Sequence, residues 1–137
     1  MNRSLGIIFL IVIVFGVIAW AAFGGPTAKE ISAVYVSSPN LEKPITSPMT
    51  IKGEALGTWF FEASFPVFLV NWDGLIIAQG VAQAKGDWMT TDYVPFEVTL
   101  TFDVPSYGDN GALILKKDNP SGLPENDGAV ELPVKFR

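Results

Sequence analysis

A single uncharged apolar run, residues 5–23, constrains this chain more than any other feature. It holds 19 residues, which as an α-helix would rise about 28 Å, close to the hydrocarbon thickness of a bilayer. Arg3 precedes the run, whereas the first charges after it, Lys29 and Glu30, cancel each other. By the positive-inside rule we expect the N-terminus in the cytoplasm and the rest of the chain outside. We therefore predict a single-pass signal anchor in the cytoplasmic membrane.

The same run has a second interpretation, a cleaved secretory signal. Such a signal combines an apolar core of about 7–15 residues with a cleavage site of small residues. Ala19-Trp20-Ala21 offers a site of this kind, and cleavage after Ala21 would release the remainder as a secreted domain. The run continues to Phe23, longer than a typical signal core, which favours the anchor. The predicted anchor, tether and exported domain are residues 1–25, 26–30 and 31–137.

Composition argues against several classes of function. Besides Arg3 there are eight Lys or Arg residues against fourteen Asp or Glu. This balance disfavours nucleic acid, whose binding is dominated by Lys and Arg on phosphates. The chain has no His and no Cys, which removes Ser-His-Asp triads, thiol nucleophiles and ordinary zinc or copper sites. We therefore predict a protein that is not an enzyme and has no cofactor or metal. An envelope enzyme of unrecognised type is the third alternative.

The exported part is patterned as short strands separated by turns. Apolar and polar residues alternate strictly from Phe96 to Phe102, which is typical of a strand with one buried face. Asn71–Gly74 predicts a hairpin with a primed turn, because Asp-Gly tolerates positive φ. Pro133 lacks a backbone N–H and favours an edge strand or a bulge. Further strands are predicted at 31–36, 47–55, 59–62, 67–72, 75–81, 112–115 and 130–136. Seven or eight antiparallel strands of this length predict an all-β sandwich.

Five segments spread along the predicted domain share one resemblance. They are SPMTIKGEA at 47–55, GTWFFEASFPV at 57–67, the Gly74 turn with Ala78 to Ala84, DWMTTDYVPFEV at 87–98, and SGLPENDGAVELPVKF at 121–136. Together they resemble the immunoglobulin-like domain of bacterial spore germination proteins, the second of the GerMN-associated domains. The resemblance implies an immunoglobulin-like β-sandwich in an exported or membrane-anchored protein, with no catalytic residues to transfer. We expect the domain to be a stand-alone version of this family behind its predicted anchor.

Aromatic residues in or beside the predicted turns are the best candidates for a binding site. Exposed aromatic rings stack on sugars or anchor protein partners. Trp72 and Trp88 come first, because Asp-Gly and Gly-Asp neighbours place them at turns. Tyr93 and Tyr107 are the further candidates. The alternative is that these rings pack in the core or against turns, and Trp59, inside an apolar run, fits that role best.

The acidic loop 118–127 is a weaker candidate. Its Asp, Asn and Glu residues are oxygen ligands that calcium accepts, but their spacing does not match the D-x-[DN]-x-[DN]-G pattern. Ordinary turn chemistry accounts for the same residues. The sequence therefore predicts an extracytoplasmic, membrane-anchored interaction module that binds an unknown envelope protein or cell-wall partner. The alternative function is a carbohydrate- or peptidoglycan-binding module that uses the turn aromatics.

Overall fold

Seven antiparallel strands form the framework of residues 32–137, the part of the chain that the computed structural model describes. They are β1 Val34–Ser38, β2 Met49–Leu56, β3 Ser64–Val70, β4 Ile76–Ala84, β5 Tyr93–Leu100, β6 Asn110–Lys116 and β7 Ala129–Lys135. Two short 3-10 turns, Gly57–Trp59 and Pro124–Asn126, lie between strands. No helix within residues 32–137 is long and apolar enough to cross a bilayer. The predicted anchor at residues 5–23 lies outside the described residues.

The strands hydrogen bond in one sheet with the order β1-β2-β5-β4-β3-β6-β7. The ladder between β4 and β5 consists of two pairs, Gln83 with Glu97 and Ala84 with Phe96. At this joint the sheet folds over on itself. Phe65 of β3 therefore packs on Phe96 of β5, with 5.0 Å between ring centroids, although β4 separates these strands in the sheet. The all-β, antiparallel fold predicted from the sequence is confirmed, with seven strands.

The core lies between the two halves of the folded sheet and is built by period-2 alternation. In β2 every other residue from Met49 to Ala55 is buried. In β5 and just beyond it, the apolar set predicted to face the core is buried throughout: Phe96, Val98, Leu100 and Phe102. The polar residues between them face outward, and the Thr50 and Thr99 hydroxyls of adjacent strands lie 2.9 Å apart. The predicted one-sided strand is confirmed.

The predicted strand at 59–62 is wrong. Trp59 ends a 3-10 turn, and Glu62 and Ala63 have the left-handed φ values 50° and 64°. Phe61 and Ser64 exchange two backbone hydrogen bonds across this tight turn, at 3.0 and 3.1 Å. Trp59 and Phe60 are buried, so the aromatic run reflects packing at one end of the core. Glu62 is exposed.

The gap that the sequence analysis left between the predicted strands 59–62 and 67–72 is also wrong, because Ser64, Phe65 and Pro66 lie within β3. The Ala84 N–H donates to the Ala63 carbonyl, so by antiparallel alternation the backbone of Pro66 faces the opposite side, toward β6. The β3–β6 ladder includes Val67 paired with Leu115 but not Pro66. The missing N–H of Pro66 therefore lies where the β3–β6 ladder ends.

The two outer strands, β1 and β7, have protected edges. The Ser32 hydroxyl donates to the Val34 carbonyl at 2.8 Å and accepts from the Val34 N–H at 3.4 Å. On β7, Pro133 has no N–H to offer, which confirms its predicted edge position. The Ile45 N–H donates to the Lys135 carbonyl at 2.8 Å. A groove with a volume of about 1030 Å³ lies between these two strands. Some of the backbone groups along its two edges are therefore already hydrogen bonded.

Candidate functional site

Trp72 projects from the turn that joins β3 to β4. The Asn71 carbonyl accepts the Gly74 N–H at 3.0 Å, and the Asn71 side-chain oxygen accepts the N–H groups of Asp73 and Leu75, each at 3.0 Å. The predicted hairpin is confirmed, but its predicted primed turn is wrong. Of the two central residues, Trp72 and Asp73, neither has a positive φ; the left-handed residue is Gly74, at 78°. The turn leaves the Trp72 side chain 55% exposed.

Tyr107, in the loop between β5 and β6, meets Trp72 at this end of the molecule. The two rings are edge to face, with centroids 5.7 Å apart and planes at 70°. The Tyr107 hydroxyl donates to an Asp73 carboxylate oxygen at 3.2 Å, and this hydrogen bond raises the pKa of Tyr107. Tyr107 is nevertheless 61% exposed. The pair therefore presents aromatic surface to solvent. Its Tyr107 ring is held in place by Asp73, which belongs to the same turn as Trp72.

Gly108 and Arg137 support this aromatic pair. Gly108 has φ +79°, and a Cβ built on it would lie 2.1 Å from Trp72 Cδ1, so the indole packs directly on the glycine backbone. Arg137 donates to the Gly108 carbonyl at 2.8 Å and pairs with Asp109 at 3.3 Å. It also donates to the Pro105 carbonyl. We call the surface formed by Trp72, Asp73, Tyr107, Gly108 and Arg137 the Trp72–Tyr107 patch.

A shallow pocket of about 320 Å³ adjoins Trp72. Asn71, Asn110 and Glu131 contribute its polar lining, and Val70 and Ala112 its apolar floor. In such a pocket the indole can stack on one face of a small ligand. The neighbouring amide and carboxylate groups can form hydrogen bonds with the hydroxyl groups of that ligand. This pocket extends the Trp72–Tyr107 patch toward β6 and β7.

The structure places the other two candidates elsewhere. Trp88 follows β4 whereas Trp72 precedes it, so the nine residues of β4 separate the two by about 30 Å. Trp88 is partly buried and packs against the core, with the exposed Met89 beside it. Tyr93 begins β5 and donates its hydroxyl proton to the Ser32 carbonyl at 2.7 Å. The pKa of Tyr93 is raised chiefly by desolvation of its hydroxyl group and secondly by hydrogen bonding with Tyr35. Trp59 is buried, in agreement with its predicted core role.

The loop at 118–127 uses its polar side chains on itself. Asn119 donates to the Asp127 carboxylate at 2.7 Å and to the Leu123 carbonyl at 2.9 Å. Ser121 bonds Asn119 and accepts from Asn126 at 3.0 Å. Within residues 32–137 no group of three or more acidic residues is arranged to hold a metal ion. These side chains thus form the local hydrogen bonds of an ordinary turn.

Family comparison agrees with this fold. A family model described as the immunoglobulin-like domain of bacterial spore germination, Gmad2, matches residues 33–122. The chain belongs to this family. The resemblance noted from the five sequence segments is thereby confirmed. No curated protein matches the chain, and no solved structure matches it.

In this Gmad2 domain the family match includes Trp72, Tyr107 and Gly108 but ends before β7 and Arg137. Asp73, Gly108 and Arg137 are the members of the patch that sequence reasoning did not single out as site residues. Asp73 was available in the Asp-Gly turn signal, but its bond to Tyr107 depends on how two loops fold. Nothing in the sequence around Arg137 indicates that it fastens the β5–β6 loop.

Proposed function

We propose that this Gmad2 domain is a non-enzymatic interaction module of the bacterial cell envelope, displayed outside the cytoplasmic membrane and recognising an envelope protein through the Trp72–Tyr107 patch. The membrane location rests on the apolar run at residues 5–23 and on the positive charge that precedes it. Its immunoglobulin-like family is consistent with an interaction role.

One observation carries the choice of surface: Trp72 and Tyr107 are more than half exposed yet fixed in place. Aromatic side chains dominate the energetics of protein interfaces, because each buries a large area at a small cost in conformational entropy. The Asp73 hydrogen bond and the Gly108 contact hold the two rings before any partner binds. Preorganisation of this kind lowers the entropic cost of association.

Site-specific photo-crosslinking tests this assignment. A photoreactive amino acid replaces Tyr107 in the full chain, and a matched variant carries it at Leu123, an exposed residue of the 118–127 loop. We expect a discrete crosslinked envelope protein from position 107 and none, or a different set, from position 123. Equal crosslinking from both positions would show that contact is not specific to the patch.

The pocket beside Trp72 favours a second candidate function, the binding of a cell-wall glycan. Its indole, amide and carboxylate groups suit a sugar ring and its hydroxyl groups. Purified peptidoglycan should then bind the full chain saturably, and Asn110→Ala should weaken that binding. Binding that does not saturate, or that Asn110→Ala leaves unchanged, would remove this alternative.

A further inference from the structure

Strand β4 has an edge with no partner along most of its length. The strand pairs with β3 from Ile76 to Gln83, but with β5 only at Gln83 and Ala84. The Ala84 N–H donates to the Ala63 carbonyl at 2.8 Å, which fixes the alternation. The backbone N–H and C=O groups of Gln79 and Val81 therefore point away from β3. No other strand of residues 32–137 pairs with this edge.

The edge is free because β4 crosses over β5 instead of running beside it. A Cβ built on Gly80 would lie 2.8 Å from Leu100 Cδ2 and 2.9 Å from Val98 Cγ2. Glycine at this position thus allows the β4 backbone to rest on core side chains of β5. Beyond this crossing the strand remains open to solvent, with Val81 52% and Ile76 58% exposed.

The register of β4 with β3 shifts at Ile77, but beyond this shift the edge, unlike those of β1 and β7, carries no protection. Natural sheets protect their edges with charges, prolines, bulges or covering groups, because exposed strand edges pair with other chains. Residues 75–84 contain no charged residue and no proline. The Ser32 hydroxyl and the Ile45 N–H, which occupy groups on the other two edges, have no counterpart on Gln79 or Val81 in the described structure. An edge left open in a sheet that protects its other edges is a pairing surface.

We propose that the open edge of β4 pairs antiparallel with the same edge of a second copy of this chain, about a two-fold axis at Gly80. Gln79 of each copy then faces Val81 of the other, and their backbone groups bond reciprocally. The chain has a net charge of −5, so two copies repel least where they meet through an uncharged strand. Gln83 is already bonded to Glu97, which limits the length of the pairing and makes the dimer reversible.

Disulfide trapping in the full chain tests this register. The sequence has no cysteine, so Gln79→Cys and Val81→Cys chains can be co-expressed and oxidised without competing thiols. Facing Cα atoms of a hydrogen-bonded antiparallel pair are about 5.5 Å apart, within disulfide range. We expect a disulfide-linked heterodimer on a non-reducing gel. Val104→Cys, at an exposed valine outside the strands, is the matched control and should form little dimer.

A charge on the edge gives an independent measurement. Gln79→Lys with Val81→Lys should lower the dimer association constant of the full chain at least tenfold in analytical ultracentrifugation, whereas Val104→Lys should leave it unchanged. Trp72→Ala should also leave it unchanged, which separates this dimer from partner recognition at the patch. The proposal is overturned if the native chain sediments only as a monomer up to millimolar concentration, if Val104→Cys crosslinks as well as the edge pair, or if the edge cysteines couple only to a different protein.

Discussion

At the scale of single residues, the Trp72–Tyr107 patch depends on one glycine that no side chain can replace. Gly108 and Gly74 have nearly the same φ, +79° and +78°. A Cβ on Gly108 would collide with Trp72, whereas one on Gly74 would meet nothing within 4 Å. The two positions therefore share backbone strain and differ in the contact with the indole.

We predict that Gly74→Ala costs about 1–2 kcal/mol, the usual strain of a left-handed alanine, and that Gly108→Ala costs more. Urea unfolding of both variants measures the difference. Gly108→Ala should also change the tryptophan fluorescence of the folded state, since it displaces Trp72 from the glycine backbone. Equal losses of stability in the two variants would show that the Gly108 contact does not position Trp72.

Much of this patch was visible in the sequence, but not its assembly. The Asp-Gly signal placed Trp72 at a turn, and turn residues placed Tyr107 in a loop. Similar local signals marked Trp88, yet it lies at the other end of β4 and packs on the core. Local turn chemistry cannot report which loops meet, because that depends on the pairing of strands far apart in the chain. It also cannot show that Arg137 holds the loop that carries Tyr107.

At the scale of elements, β5 is a strand whose sequence pattern alone is sufficient to predict its buried face. Its alternation predicted the buried face because a period of two places every second side chain on one side of a strand. The strand predicted at 59–62 was wrong because aromatic residues pack at the end of a core as well as within strands. The gap predicted at Pro66 was wrong because the sequence does not show where the pairing between two strands ends.

We predict that Phe96→Ala lowers the free energy of unfolding by about 3–5 kcal/mol, as expected for a large cavity in a packed core. Phe96 contacts Phe65 across the fold of the sheet, so this cavity would weaken the contact between its two halves. Glu97→Ala, one residue along on the outward side, should cost little by comparison. Denaturant unfolding checks both, and similar costs would mean that β5 does not have a single buried face.

At the scale of the whole molecule, the predicted anchor is the basis for the proposed location of the domain. We predict that the full chain resists extraction from membranes by alkaline carbonate and keeps its N-terminus, because 19 uncharged residues suffice to span a bilayer. Mass spectrometry of the mature protein checks the N-terminus. A mature chain that begins at Ala22 would instead identify the run as a cleaved signal.

Recognition of the partner by the Trp72–Tyr107 patch is tested most directly by the affinity of patch variants. With the envelope protein identified by crosslinking, the dissociation constant is measured for the native chain, Trp72→Ala, Tyr107→Ala and the control Leu123→Ala. We predict that each patch variant loses at least about 1 kcal/mol, or about fivefold in affinity, while its circular dichroism and unfolding remain native-like and the control binds normally. Native affinity in both folded patch variants would show that the patch does not recognise the partner.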